Sequence, residues 1–270
     1  MTIAIDDGFL EAFMIDHRLS ISQISSILAG AVDMRFNPVC VYGSDRIPEN
    51  ALRSSQLSDC LACSIFLIAD GRTKGPVYAG DESGQVFCRC MGGPAWFGYR
   101  GFDPRLPGLM STGMMSTGSN AAKQDGKHLK ENEDIACETY RAVGEIKRLG
   151  KYVVISRCDD LQEDSCAKCI VCFANGEQIR DLCALAHFSS HDVFNLISFP
   201  WGPACATLVT YPAGMAENAS SSKIFLGPTD PSARIWLPED CLAMGIPIEI
   251  ARKMAEGVKR SFLAKRDNVA

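Results

Sequence analysis

The sequence predicts an α/β or α+β protein with a mixed sheet and flanking helices. Short apolar runs bounded by glycine or proline, such as residues 38–42 and 152–155, are typical of buried strands. Between such runs, apolar residues recur at three- and four-residue spacing, which indicates amphipathic helices. The two patterns alternate along the chain, so helices are expected to pack on a sheet. With 270 residues, 47% of them hydrophobic, the chain can bury a substantial core.

The first half is predicted to contain two helices and three strands. Residues 6–31 carry apolar side chains on one face, which predicts a helix with a break near 16–19. Residues 54–69 are apolar on nearly all sides from Leu61 onward, which predicts a buried helix. The predicted strands are 38–42, 76–80 and 85–90. Residues 101–120, rich in Gly, Pro, Ser and Met, are predicted to be an ordered loop near the site, or else a mobile surface loop.

The second half continues the alternation after a charge-dense segment, 123–133, which is expected to be a linker or a helix start. The predicted helices are 135–149, 177–188 and 238–256, the last with a kink at Pro247. The predicted strands are 152–155, 168–173, 193–199 and 224–226, and a helix or turn is expected over 200–208. We interpret residues 1–33 as an N-terminal helical extension and residues 34–265 as a single domain.

A short motif that occurs twice indicates two pseudo-repeated halves around a central site. Gly93-Pro-Ala95 follows a predicted strand in the first half, and Gly202-Pro-Ala204 follows one in the second. A cysteine stands near each turn, Cys90 before the first and Cys205 after the second. The repeated motif is consistent with an old duplication. It is equally consistent with chance in a chain rich in these residue types.

Composition and charge exclude several classes of partner. The formal charge is −5 and the isoelectric point is near 5.4, so there is no electrostatic reason to expect nucleic acid or an anionic membrane surface. The longest apolar run, residues 60–69, is too short to span a bilayer. The acidic start of the chain does not resemble a leader peptide. We therefore expect a cytoplasmic protein.

The thirteen cysteines are many for a cytoplasmic chain. In a reducing compartment they are expected to be thiols, metal ligands or catalytic groups rather than disulfides. Most of them are expected to act as small buried apolar residues.

The segment 88–101 is the most distinctive stretch, because two cysteines run into Gly92-Gly93-Pro94. Glycine and proline together force a sharp turn, which would leave backbone N–H groups beside the thiol of Cys90. Such a turn can surround a small anion or a metal with donors and a thiolate. The alternative is a tight connection with buried, inert thiols.

Two other cysteine motifs give weaker indications of a metal site. Cys166, Cys169 and Cys172 have the spacing that opens a ferredoxin cluster site. However, the segment is strand-like, so Cys169 should point away from the face shared by Cys166 and Cys172. Cys60 and Cys63 are expected inside the apolar helix and lack a second pair at zinc-ribbon spacing, so a structural zinc is not favoured.

A second turn-rich segment, 227–234, ends in an arginine. The guanidinium of Arg234 could bind a carboxylate or phosphate through two parallel hydrogen bonds. The alternative is a surface arginine that caps a loop.

Several stretches in this order resemble one family, domain of unknown function 169, the uncharacterised ArCR family of prokaryotes. They are residues 38–41, the helix of Cys60, 90–93 running on to 97–99, 175–178, 199–205, and 230–234 leading to 245–247. The resemblance covers roughly residues 30–262 and implies functional positions at Cys60, Cys90, Cys205 and Arg234. The chain departs from the family in its Met-rich loop and in the Pro-Trp-Gly-Pro-Ala before Cys205. The resemblance implies no established activity.

These observations lead to three hypotheses. The first is an Fe–S cluster or other thiolate-bound metal held by Cys60, Cys90 and Cys205, with zinc less favoured than a cluster. Cys63 or Cys88 would be a fourth ligand, while Arg234, Gly92 and Gly93 would bind an anionic small molecule. The second is a non-enzymatic module that binds a small molecule or cofactor. The third is a metal-free thiol enzyme with Cys90 as nucleophile.

Overall fold

The computed structural model describes residues 18–58, 60–80, 93–112, 129–161, 166–216, 222–230, 233 and 235–264. Eight strands lie within these residues: β1 Val39–Ser44, β2 Leu52–Arg53, β3 Val77–Gly80, β4 Tyr152–Arg157, β5 Ala167–Asn175, β6 Ile197–Ser198, β7 Ile224–Gly227 and β8 Cys241–Pro247. They form one sheet in the order β2-β3-β4-β1-β5-β8-β7-β6. The outermost pair at each edge is parallel and the inner pairs are antiparallel. The predicted mixed sheet is therefore confirmed.

Helices flank this sheet. In the described part of the chain they are α1 Ile21–Ala31, α2 Ser54–Leu57, α3 Leu61–Ala69, α4 Leu106–Thr112, α5 Glu133–Val143, α6 Gly176–His187, α7 Tyr211–Met215 and α8 Ile248–Gly257. A π-helical turn, Ala206–Thr210, runs directly into α7, and a 3₁₀ helix spans Gly93–Phe97. Asn175 caps α6 in a capping box with Gln178, so the turn predicted at this point begins the helix as expected.

The alternation of side chains along the central strands divides the core into two layers. On β5, Cys169, Val171 and Phe173 face one layer, while Ile170 and Cys172 face the other. The first layer, here called the site-side core, is covered by α3, the 3₁₀ helix and the π-helical turn. The second layer is covered by α1, α6 and α8. Since strand side chains alternate in direction, neighbouring cysteines on β5 are separated by the sheet itself.

Three predicted elements have different bounds in the structure. The helix expected over 54–69 is broken, because Ser58 and Cys60 have extended backbone angles. The helix expected over 135–149 ends at Val143, because Gly144 adopts φ 69°. Part of the segment 101–120, expected to be a loop, forms α4. A Cβ on Gly108 of this helix would lie 3.4 Å from the Glu133 carboxylate of α5.

The helix predicted over 238–256 is wrong in its first half. Residues Cys241–Pro247 form strand β8, and α8 begins immediately after Pro247. β8 is hydrogen-bonded to β5 on one side and to β7 on the other. Pro247 therefore separates a strand from a helix rather than kinking a helix, as expected for a residue that has no N–H to donate.

The remaining expectations are met only in part. Of the strand predicted over 193–199, the structure has Ile197–Ser198. The first half of the predicted N-terminal helix and the strand over 85–90 lie outside the described residues. The internal duplication stays a prediction. No helix within the described residues is both long enough and apolar enough to cross a membrane.

Candidate functional site

The structure describes Cys60, Gly93 and Cys205 among the predicted site residues, and also Cys63, one of the two alternatives for a fourth ligand. Cys90, Gly92 and Arg234 lie outside the described residues, as do Cys88 and positions 113–120 of the Met-rich segment. The structure therefore shows the surroundings of these described residues and of the immediate neighbours of the others.

Cys60 stands at the start of α3 rather than inside a helix. Its backbone N–H donates to the Ser58 hydroxyl at 3.1 Å, and its carbonyl accepts from the N–H of Ser64 at 3.1 Å. Because Leu61 is the first helical residue, the N-terminus of a nine-residue helix lies directly beside the cysteine. The positive end of a helix stabilises negative charge, as on a metal-bound thiolate.

Cys205 also stands at the start of a helical segment, the π-helical turn that leads into α7. The carbonyl of Pro203 accepts from the N–H groups of Ala206 and Thr207, and Cys205 is only 2% exposed. Gly202 precedes this turn with φ 156°, and a Cβ there would lie 3.0 Å from the Tyr211 hydroxyl. π-Helical turns are rare and frequently occur at functional sites.

The glycine turn is joined to the segment of Cys205 by a buried hydrogen bond. Gly93 begins the 3₁₀ helix with φ 50°, a conformation that favours glycine. Three residues later, the Trp96 carbonyl accepts from the Thr210 hydroxyl at 2.7 Å. The chain that follows Cys90 and Gly92 is thus held against the helical segment that Cys205 begins.

These parts lie on the same face of the sheet. Cys205, Trp96 and Ala233 belong to the site-side core, and Cys60 packs against it. Ala233 is the residue before Arg234 and is 3% exposed. Two of the predicted ligands, the glycine turn and the neighbour of the predicted arginine therefore lie on the same side of β5.

Tyr211 is a neighbour of Cys205 that the sequence analysis did not single out. Burial raises the pKa of its hydroxyl, and the nearby Cys205 thiol raises that pKa further. The hydroxyl donates to the Trp201 carbonyl at 3.3 Å. Both rings line an apolar cavity of about 300 Å³, and the Lys130 ammonium lies 4.4 Å from the centre of the Trp201 ring. No local motif reveals this cavity, because its walls come from distant parts of the chain.

The ferredoxin-like motif is divided as predicted. Cys169 faces the site-side core, whereas Cys172 faces the opposite layer. Burial, and then the neighbouring Cys158, raise the pKa values of both thiols. Neutral thiols on opposite sides of a sheet are poorly suited to binding one metal centre. Among the residues that the structure describes, no group of three or more potential ligands could hold a metal ion.

We expect that replacing Cys166, Cys169 and Cys172 together with alanine will leave the metal content of the protein unchanged. Alanine avoids burying hydroxyl groups in the core, so the folded fraction can be checked by circular dichroism. Metal per folded chain is measured by mass spectrometry. Loss of iron or zinc from this triple variant would show that the motif is the ligand set.

The fold and the gathered residues define the class: an α/β protein whose candidate site lies on one face of a mixed sheet. The sequence profile of the family described as uncharacterised ArCR, domain of unknown function 169, matches residues 27–257. The chain belongs to this family, which confirms the resemblance. No curated protein and no solved structure matches the chain.

Proposed function

We propose that the protein is a cytoplasmic thiolate–metal protein in which Cys60, Cys90 and Cys205 hold an Fe–S cluster or another metal. The observation that carries the proposal is that Cys60 and Cys205 each begin a helical segment on the same face of the sheet. Both cysteines therefore stand at the positive end of a helix, which suits an anionic thiolate ligand.

The third thiol is proposed from its position in the chain. Cys90 precedes Gly93 by three residues, and the 3₁₀ helix that Gly93 begins is bonded to the segment of Cys205. Three residues span about 10 Å when extended. This reach is comparable to the size of a cluster site, so the connection allows Cys90 to approach the same face.

A centre with three thiolates would supply electron transfer or an open coordination position for a substrate. The residues of this chain would then bind and orient that substrate. Arg234 and the backbone N–H groups of Gly92 and Gly93 are proposed to bind an anionic group. The cavity formed by Trp201 and Tyr211 offers space for an apolar part of the same molecule.

The proposal is tested with the single variants Cys60→Ala, Cys90→Ala and Cys205→Ala, each purified without oxygen. Because each removes one ligand, we expect each to weaken metal binding by more than about tenfold. Metal per chain is measured by mass spectrometry, with the urea midpoint recorded to confirm folding. Cys137→Ala, a partly buried cysteine of α5, is the matched control and should retain the metal. Full metal content in any of the three folded ligand variants would contradict the proposed set.

A further inference from the structure

A second cavity, of about 420 Å³, lies along α3. It is bounded by the C-terminal half of α3, by Arg35 and Phe36 before β1, and by the turn that leads into β8. Cys63 lines the same cavity, one helical turn after Cys60. Cys63 is also one of the two alternatives named above for a fourth metal ligand, whereas Cys60, Cys205 and Gly93 do not line the cavity.

Flat aromatic surfaces form the inner wall of this cavity. The Phe66 ring lies 5.0 Å from the Phe36 ring and 6.0 Å from the Trp236 ring, measured between centroids. Phe36 and Phe66 are 3% and 4% exposed. Aromatic walls at these angles favour a planar, apolar ligand that can stack or pack edge to face.

The charge at the mouth of the cavity favours an anion. Arg72 and Asp70 pair with each other, with Nε and Oδ2 2.5 Å apart. Arg35 forms no salt bridge with any acidic group in the described ranges, and its guanidinium lies 4.9 Å from the Phe36 ring centre. The lining, with Arg35, Arg72 and Asp70, therefore carries a net positive charge beside an aromatic wall, an arrangement suited to a carboxylate.

We propose that this cavity binds a planar aromatic carboxylate. The ring system packs against the wall formed by Phe36, Phe66 and Trp236, and the carboxylate accepts hydrogen bonds from Arg35. This site does not depend on the three thiols of the proposed metal centre, because the described members of that set, Cys60 and Cys205, do not line the cavity.

The test uses 2-naphthoate as the probe, titrated by calorimetry into the full chain. Arg35→Gln should weaken binding about tenfold, because a hydrogen bond to a charged group is lost. Arg46→Gln is the matched control, since Arg46 is exposed and does not line the cavity. The neutral analogue 2-naphthamide should bind the wild type more weakly than 2-naphthoate does. It should bind the wild type and Arg35→Gln with equal affinity.

A second readout locates the bound probe. Burial raises the pKa of the Cys63 thiol, while Ser58 and Arg72 oppose that rise. Alkylation of Cys63 should become slower when 2-naphthoate fills the cavity, whereas alkylation of Cys137 should not change. Absence of 2-naphthoate binding, undiminished binding by Arg35→Gln, or unprotected Cys63 would each overturn the proposal. Metal content is measured separately, so the failure of one proposed site is distinguishable from the failure of the other.

Discussion

Replacing Trp96 with alanine is expected to lower the free energy of unfolding by about 3–5 kcal/mol. The side chain is fully buried, and its ring contacts those of Phe102, Tyr140, Trp201 and Tyr211. Alanine removes the ring and leaves a cavity that these neighbours, which come from separate segments, can fill only in part. Urea denaturation followed by circular dichroism measures the change.

Phe194→Ala is the control for this prediction, because it also removes an aromatic ring but from a side chain that is 88% exposed. Its free energy of unfolding should stay within about 0.5 kcal/mol of the wild-type value. If Trp96→Ala were as stable as this control, Trp96 would not be the centre of the aromatic packing described for the site-side core.

Replacing Gly43 with alanine is expected to lower the free energy of unfolding by about 3 kcal/mol. A Cβ at this position of β1 would lie 1.9 Å from the carbonyl oxygen of Leu149. The obstacle is backbone, so it cannot be relieved by a change of rotamer. The chain must move just before β4, where Gly43 is paired with Val153.

Gly30→Ala makes the same chemical change where a Cβ would meet nothing within 4 Å. Since Gly30 lies within α1, alanine there should raise stability by about 0.5–1 kcal/mol. Opposite signs for the two variants in urea denaturation are the expected result. A stable Gly43→Ala protein would show that the two backbone segments are farther apart than described.

Much of the fold follows from local pattern. β1, β4 and β5 are continuous apolar runs in the sequence, and each is flanked on both sides in the sheet. The Asn175 cap marks the start of α6 from sequence alone. In these elements, the local preference of the chain and its tertiary surroundings favour the same structure.

β8 could not be predicted because its local preference and its surroundings disagree. Leu242, Ala243 and Met244 are good helix formers, and short apolar runs do not distinguish a strand from a helix. The strand forms because β5 and β7 supply hydrogen bonds on both edges. Gly245 also allows close packing, since a Cβ there would lie 2.8 Å from the Leu208 carbonyl oxygen.

The residues of the candidate site stay a prediction from the sequence, and their local geometry could not be predicted. Periodicity placed Cys60 inside one long helix, whereas the break at Ser58 puts it at a helix start. The turn around Cys205 was visible from its Gly and Pro residues, but its π-helical form was not. The cavity beside α3 depends on segments distant in the sequence, so no local motif could indicate it.

The central claim, a metal bound by thiolates on one face of the sheet, is tested most directly by X-ray absorption on the wild-type protein purified without oxygen. The account predicts bound iron or zinc with a shell of sulfur ligands at about 2.3 Å. Protein that contains neither metal, or a metal surrounded only by oxygen and nitrogen, would contradict it.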